Sequence, residues 1–491
     1  MLCGGSFRVE FLPMNNYSLF PGNSAWSRHR PGLAVLTTLL LMSVPWRTLA
    51  APITVALCPE NADVTTALFS QLFYAADGQP RQLLVLGGQP ALPDCEIKVV
   101  EAGAASVSWA AMLPADLGGS HLRYLALQGK FSPAPVTINE IIGSNDSEQV
   151  AAPNPSGLNL PTKPVAPVPG RPLGFASNNP DRTAWLWSPA LWQDTPELIW
   201  QLQTHQHLAA IYVTVPVSGE GEVENPEALA MFISAASQRN LKVWAVIGDH
   251  RDVLAESRAA LQTRLEAYLL YNQSAAPQER LQGVQLDIEP YLLPGFGLAQ
   301  QHWRDRYLAV VAFTQQLLGK ALALDLVMPL WWSTHPDWSA QLFDQLALPG
   351  LSITVMNYQT DPALLLHAAE PFLAFGQRAG IPVRMALESG RLPDETRRYY
   401  AGNVKTGELW LLDVQHNPVL LLLAAPVAGL PGQLFSFTEQ KPVSASTTTF
   451  AGDLLRLGAV ADEVASQWSG WSSFAGIALH GLEETLTAEP Q

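Results

Sequence analysis

Short apolar segments alternate with helix-type patterns from Thr183 to His480, and this alternation restricts the fold of the 491-residue chain more than any other feature. Strand–helix alternation is typical of the α/β class, in which helices cover a parallel sheet. Eight repeats of the unit predict a (β/α)₈ TIM barrel. A doubly wound sheet is the alternative, but no glycine-rich phosphate loop follows the first strand. The predicted strands are Ala184–Ser188, Ala210–Val215, Lys242–Gly248, Gly283–Glu289, Ala323–Pro329, Ser352–Tyr358, Val383–Glu388 and Ala475–His480. The predicted helices are Thr195–Gln206, Pro226–Arg239, Leu254–Tyr271, Gln300–Leu318, Pro362–Arg378 and Gly452–Trp468.

The spacing breaks once, because too many residues for one repeat separate Glu388 from Phe474. We interpret the excess as an insertion after the seventh strand, with Asn417-Pro418 as one of its turns. Loops that follow barrel strands lie over the active-site face. The insertion contains three predicted strands, Glu408–Val414, Val419–Leu423 and Gln433–Phe437.

The N-terminal half divides into three parts. Residues 1–50 carry a basic stretch, an apolar run from Leu33 to Val44 and the small-residue end Thr48-Leu49-Ala50, a pattern typical of a cleaved secretory signal peptide. Met14 is an alternative start. Residues 51–150 predict a small α+β accessory unit, with a helix over Asp63–Ala76. Proline density predicts an extended linker over residues 151–173, ahead of a barrel domain over 174–491.

Composition restricts the partners and the compartment. A formal net charge of -15 without a basic stripe argues against nucleic acid and anionic membranes. The apolar run near the N-terminus is too short for a stable membrane span in the mature chain. Cys58 and Cys95 form an even pair in an exported chain, so we expect a disulfide and a periplasmic or secreted protein. The chain is expected to be a monomer.

Two acids end the fourth predicted strand, in the segment Leu281–Tyr291. Asp287 and Glu289 share one face of this strand, because side chains alternate along it. Carboxylates are costly on a buried face and are seldom found there without a partner or a function. Pro290 ends the strand after Glu289.

Barrel chemistry occurs at the carboxyl ends of the strands. We therefore predict a ring of acids and aromatic residues, with acids to protonate a glycosidic oxygen and rings to bind sugar faces. No ligand spacing supports a metal site, no cofactor is predicted, and no Gly-x-Ser-x-Gly elbow occurs. The candidate catalytic residues are Glu289, Asp287 and Glu388, and the candidate substrate-binding residues are Tyr358, Asn357, Trp185, Trp187, Trp331, Trp332, Tyr291, His480 and Asp249.

Two segments resemble known family motifs. Gly283–Glu289 resembles the fourth-strand pattern Asp-x-x-Asp-x-Asp-x-Glu of chitinase-like glycoside hydrolases, and Met356-Asn357-Tyr358 resembles their Met-x-Tyr-Asp. The resemblance implies Glu289 as general acid and an N-acetylhexosamine polymer as substrate. Its acetyl group would attack, oriented by Asp287 and Tyr358.

The match to this pattern is partial. Glutamines stand in place of acids at Gln282, Gln285 and Gln359. The chain is also similar, over about residues 180 to 485, to a group of poorly characterised bacterial barrel proteins. That second similarity rests on Asp287–Pro294, Val355–Tyr358, Leu387–Ser389 and Ile477–His480.

A further resemblance is to retaining barrel glycosidases. Glu289-Pro290 and Glu388 occupy the places of their acid/base and nucleophile, which lie roughly 5–5.5 Å apart in such enzymes.

Other interpretations stay open at this point. Glu388 could be a structural acid paired with Arg384 or Arg391, and one of Trp331 and Trp332 is expected to pack inward. The whole protein could instead be a non-catalytic carbohydrate-binding barrel, or a cell-envelope protein that works through its first unit and linker.

Overall fold

The computed structural model describes residues 52–101, 106–114, 117, 122–132, 135–151, 181–333, 342–346 and 350–487, and the backbone of residues 7–10. The rest of the predicted signal peptide and the predicted linker beyond residue 151 lie outside the described residues. The domain boundaries and the signal peptide therefore remain predictions.

The N-terminal unit is built almost entirely of strands. Four strands form an antiparallel sheet in the order β3 (Ala67–Tyr74), β4 (Pro80–Gly87), β2 (Ile53–Pro59) and β5 (Glu96–Val100). The disulfide Cys58–Cys95 joins the end of β2 to the residue before β5. The elements of this unit are β1 Phe7–Glu10, β2 Ile53–Pro59, β3 Ala67–Tyr74, β4 Pro80–Gly87, β5 Glu96–Val100, β6 Val107–Met112, β7 Tyr124–Lys130, β8 Thr137–Ser144 and α1 Ser147–Ala151.

The predicted helix over Asp63–Ala76 is wrong. Residues 67–74 form β3, which pairs along its length with β4. Phe69, Phe73 and Tyr74 favour a strand, and tertiary pairing overrides the helical pattern of the segment.

Seven parallel strands and their helices follow, with the bounds close to those predicted. Three of the helices begin with a proline, at Pro196, Pro226 and Pro362, where its missing N–H costs no helical hydrogen bond. The strands are β9 Arg182–Leu186, β10 Leu208–Val213, β11 Lys242–Ile247, β12 Gly283–Leu286, β13 Ala323–Pro329, β14 Leu351–Met356 and β15 Val383–Glu388. The helices are α2 Pro189–Gln193, α3 Pro196–Gln206, α4 Pro226–Gln238, α5 Arg258–Ser274, α6 Gln300–Leu318 and α7 Pro362–Ala379.

The insertion after β15 joins the N-terminal unit in one sheet. Its strands are β16 Glu395–Gly402, β17 Thr406–Val414, β18 Asn417–Ala428 and β19 Gln433–Val443. The eight-stranded order is β1-β8-β7-β16-β19-β17-β18-β6, so β16 pairs with β7 and β18 pairs with β6. Two segments far apart in sequence therefore build one structure, which we call the composite β-domain (β1–β8 and β16–β19).

The turn predicted at Asn417-Pro418 is wrong. Both residues begin β18, and the turn is formed by Gln415 and His416, with φ values of 49° and 70°. Positive φ at both central residues is the two-residue hairpin turn that matches strand twist.

Strand β20 (Phe474–His480) closes the barrel between β15 and β9, so the predicted (β/α)₈ barrel is confirmed. Helices α8 Leu454–Trp468 and α9 Glu483–Thr487 flank β20. Val284, Leu286 and Ile288 face the core between strands and helices. The barrel interior is packed by Trp185, Tyr212, Val246, Val327, Ala386 and Ala478.

No helix in the described part of the chain is long and apolar enough to cross a membrane.

Candidate functional site

The carboxyl ends of four barrel strands bring most of the predicted site residues together. Asp287 and Glu289 follow β12, Tyr358 follows β14, Glu388 ends β15 and His480 ends β20. Strand β12 itself stops at Leu286, three residues earlier than predicted. Both acids thus lie in the segment that leaves the barrel, where side chains can face a ligand.

Glu289 is a half-buried acid without a cationic partner among the described residues. Its Oε1 accepts a hydrogen bond from the hydroxyl of Tyr291. Burial raises the pKa of Glu289, and this outweighs the Tyr291 hydrogen bond and the charge of His480, which lower it. A carboxyl group with a raised pKa that is still partly exposed can hold a proton for donation.

Asp287 shares this environment. Burial, and then the nearby Glu289, raise the pKa of Asp287 well above its ordinary value. Its Oδ1 is buried and has no hydrogen-bond partner within the described ranges. Asp287 therefore offers one unoccupied polar atom beside Glu289, which a ligand group could satisfy.

His480 and Glu388 form a buried ion pair across neighbouring strands. His480 Nδ1 lies 2.6 Å from Glu388 Oε2, and Glu388 Oε1 accepts from the backbone N–H of Gly390 at 2.6 Å. Burial opposes ionisation of both groups, but their mutual attraction wins, so the pKa of Glu388 is lowered and that of His480 is raised. Neither Arg384 nor Arg391 is the partner of Glu388; Arg384 lies 3.9 Å from Asp325.

Aromatic rings surround the imidazole. The Tyr358 ring stacks on the His480 imidazole at a centroid distance of 5.8 Å. The Trp185 ring packs against the same imidazole in a T-shaped arrangement at a centroid distance of 5.6 Å. The indole N–H of Trp187 donates to His480 Nε2 at 3.2 Å. Burial, followed by the charges of Glu388, Asp287 and Glu289, raises the pKa of the Tyr358 phenol, so its hydroxyl remains a donor.

The paired tryptophans after β13 split as predicted in their exposure. Trp332 is fully buried and packs on Tyr307, whereas Trp331 is partly exposed. Both rings contact Tyr291, at 5.8 Å for Trp331 and 6.4 Å for Trp332. The two indole rings therefore pack around Tyr291, whose hydroxyl donates a hydrogen bond to Glu289.

Two predicted binding residues lie apart from this cluster. The Asn357 side chain is fully buried and donates to the carbonyl of Leu365 in α7 at 2.9 Å. Asp249 is half-exposed and caps the short helix His250–Val253, because its side chain accepts a hydrogen bond from the backbone N–H of Arg251. The surroundings of both side chains fit structural roles.

The sequence does not predict a buried polar network that lies below Asp287 and Glu289. Gln285 accepts from Trp185 Nε1 at 2.6 Å and donates to Asp325 Oδ2 at 2.7 Å. Thr354 also donates to Asp325, which is completely buried. Asp325 lies inside β13, two residues before Val327, and the alternation of that strand is the only signal that could have identified it. A carboxylate is thus present next to position 285, contributed by the neighbouring strand.

No cluster of three or more His, Cys, Asp or Glu side chains suited to a metal ion occurs in the described ranges. A cavity of about 280 Å³ lies on the outer face of the barrel, between α6 and residues 345–346, and its lining carries no titratable group.

No family model matches the sequence, and no curated protein matches it. Solved structures align with it at low identity. The Bacillus megaterium QM B1551 spore cortex-lytic enzyme SleL is 11% identical, with 61% of this chain and 70% of that chain covered and a TM-score of 0.34. A plant class V chitinase mutant from Cycas revoluta in complex with (GlcNAc)3 is 14% identical (62% and 96% covered, TM-score 0.31). A glycoside hydrolase family 18 N-acetylglucosaminidase from Paenibacillus barengoltzii is 12% identical (61% and 94% covered, TM-score 0.29). Likenesses at these identities and TM-scores assign no activity to the chain.

Proposed function

We propose that this protein is an exported glycoside hydrolase that acts on a polysaccharide containing N-acetylhexosamine. The observation that carries the proposal is the acid pair Asp287 and Glu289 at the mouth of the barrel. Both pKa values are raised, Glu289 is partly exposed, and no arginine or lysine within the described ranges neutralises either acid.

Glu289 acts as the general acid. Its raised pKa favours the protonated form, so it can give its proton to the glycosidic oxygen as the bond to the leaving sugar breaks. The Tyr291 hydroxyl fixes Oε1 and leaves the other carboxyl oxygen for the substrate. The oxygen of the substrate's own acetamido group bonds to the anomeric carbon as the leaving sugar departs. Water then attacks that carbon, gives its proton to the Glu289 carboxylate and releases the acetamido group.

Asp287 and Tyr358 orient the substrate. The motif resemblance gives them an acetamido group to hold, and two observations support this assignment. Asp287 has a buried oxygen without a partner among the described residues, and Tyr358 keeps its hydroxyl proton. The imidazole of His480 lies near both acids that follow β12, and its charge when protonated lowers the pKa of each.

A retaining mechanism with Glu388 as nucleophile is the second candidate. Its lowered pKa favours it, because a nucleophile must be ionised. Its contacts oppose it, since one oxygen is bound to His480, the other to Gly390, and the side chain is only 6% exposed. We therefore assign Glu388 the role of holding the charge and orientation of His480.

A non-catalytic carbohydrate-binding barrel is the third candidate. Gln285 and Gln359 stand where the chitinase-like pattern has acids, and both amide atoms of Gln359 are buried without a partner in the described ranges. Missing acids would weaken catalysis but leave the aromatic cleft intact.

Glu289→Gln tests the proposal. Removing a general acid lowers turnover about 10²- to 10⁴-fold while the shape of the site is kept. The measurement is release of reducing ends from a panel of polysaccharides, with Glu222→Gln as the control, since Glu222 is exposed on the loop after β10.

Each result selects one candidate. A loss confined to Glu289→Gln supports the general acid. Equal, measurable turnover in wild type and Glu289→Gln would refute it. No turnover at all, with binding of sugars by calorimetry, would favour the carbohydrate-binding barrel. Binding that survives deletion of everything after Arg171 would favour a cell-envelope interaction protein.

Export rests on two features, the signal-like pattern of residues 1–50 and the disulfide Cys58–Cys95. Recovery of the mature chain, beginning near residue 51, from the periplasm or the medium is the expected result.

A further inference from the structure

The segment that carries Glu289 has little support from the barrel sheet. Beyond Leu286, residues 290–298 form two short 3-10 turns, Pro290–Leu292 and Phe296–Leu298. Their backbone hydrogen bonds are local, such as Leu292 N–H to Glu289 at 3.0 Å and Leu298 N–H to Gly295 at 2.8 Å. Local turns alone do not fix a loop, so its position depends on tertiary contacts.

The N-terminal unit supplies such contacts. The backbone N–H of Tyr74, at the end of β3, donates to the carbonyl of Pro294 at 2.8 Å. The Tyr74 ring meets Trp303 of α6 edge-on at 4.9 Å. Gly295 lies so close to β3 that a Cβ there would be 2.8 Å from Cβ of Phe73.

The two hydrophobic cores also interlock at this point. Leu298, from the barrel segment, packs against the core of the composite β-domain, which contains Phe73. Tyr74, from the composite β-domain, packs against the barrel core. The contact is therefore a joint between two cores rather than a polar surface contact.

We propose that β3 positions the Glu289 side chain, with Tyr74 as the positioning residue. The proposal rests on the proposed function. The backbone N–H of Tyr74 is hydrogen-bonded to the carbonyl of Pro294, in the segment that also carries Tyr291. The Tyr291 hydroxyl in turn donates a hydrogen bond to Glu289. Through this chain of contacts a residue of the N-terminal unit sets the position and the proton affinity of an acid in the barrel.

Tyr74→Ala keeps the backbone N–H but removes the ring contact with Trp303 that anchors Tyr74 against the barrel. Without this anchor the hydrogen bond from Tyr74 to Pro294 should be held less firmly, and the segment should loosen. Small displacements of a catalytic group are costly, so kcat should fall about 10- to 100-fold with little change in KM. The midpoint of the alkaline limb of kcat/KM should move toward the ordinary pKa of a glutamic acid, because a looser site admits water. Tyr74→Phe keeps the ring and should restore both values. Leu68→Ala, an exposed position on the same strand, is the matched control.

A second readout does not depend on turnover. Infrared titration of the carboxyl C=O band, assigned with Glu289→Gln, reports the protonation of Glu289 directly. Tyr74→Ala should lower its midpoint, and Tyr74→Phe should not. If Tyr74→Ala does not fold, Gly295→Ala replaces it, since its new Cβ pushes the segment away from Phe73.

The outcomes separate the two proposals. If the wild-type protein cleaves no sugar, the proposed hydrolase activity is refuted. The infrared midpoints of wild type and Tyr74→Ala still decide whether Tyr74 positions Glu289. A variant that melts at a lower temperature but keeps its pH profile and infrared midpoint would overturn the inference, because the N-terminal unit would then stabilise the barrel without acting on the acid.

Discussion

Asp287, a proposed substrate-binding residue, carries a cost in stability. It is an acid placed next to a second acid in a low-dielectric site, and its pKa is raised by burial and then by Glu289. The folded protein therefore binds a proton at Asp287 at pH values where the unfolded chain has released it. Between the two pKa values, the free energy of unfolding falls as the pH rises.

Asp287→Asn should accordingly stabilise the protein at neutral pH. The amide has nearly the same shape and does not ionise, so the cost of the buried charge disappears and a gain on the order of 1 kcal/mol or more is expected. The difference from wild type should shrink as the pH falls toward 4, where Asp287 is protonated. Urea unfolding at several pH values measures it, and a difference independent of pH would contradict the assignment.

His480 and Glu388 have the opposite linkage. The raised pKa of His480 contributes stability that is lost as the pH rises through it, and the lowered pKa of Glu388 contributes stability that is lost as the pH falls through it. The pair is thus most stabilising between these two limits. The hydrogen bond between Glu388 and Nδ1 also fixes the orientation of the His480 ring.

At the scale of elements, β12 places both acids through close backbone packing. Gly283 begins the strand, and a Cβ there would lie 2.3 Å from the Trp244 ring and 2.5 Å from the carbonyl oxygen of Ala323. Only glycine lets β12 approach β13 at this point. The position of Asp287 and Glu289, four and six residues later, depends on that approach.

Gly283→Ala should therefore destabilise the barrel by about 1–3 kcal/mol, the usual cost of overpacking a core. Because β13 must move, turnover should also fall. Gly219→Ala is the matched control, as nothing lies within 4 Å of its new Cβ. Chemical denaturation of both variants tests the prediction, and equal stabilities would contradict it.

For the whole molecule, the composite β-domain joins the N-terminal unit to the insertion after β15. Strand β7 of the N-terminal unit pairs with β16 of the insertion, and β6 pairs with β18. Removing the N-terminal unit would expose two sheet edges on the insertion. Unpaired edges promote aggregation, so the N-terminal unit is not a dispensable accessory.

A chain truncated to residues 181–491 should be poorly soluble. A chain that lacks only residues 1–50 should stay soluble, because it loses only the edge strand β1 from the sheet. The full chain should unfold in a single calorimetric transition, because the cores of the barrel and the composite β-domain pack against each other through Tyr74 and Leu298. A truncated barrel that is monomeric and melts at the temperature of the full chain would disprove this coupling.

The sequence by itself determined the barrel, because its strands and helices are marked by local patterns. Apolar runs, prolines at the first helical turn and acids after the fourth strand lie within short windows, and most bounds agree within a few residues. The break in spacing after Glu388 likewise located the insertion. The acid pair was accessible for the same reason, since Asp287 and Glu289 are two residues apart.

Tertiary structure alone decided the partners of these elements. β3 forms a strand rather than a helix because β4 pairs with it, and the insertion shares a sheet with residues more than 250 positions earlier. The Gln285–Asp325 network, the His480–Glu388 pair and the contact of Tyr74 with Pro294 each join segments distant in sequence. Such contacts depend on how strands are ordered in space, and local hydrophobic periodicity carries no information about that order.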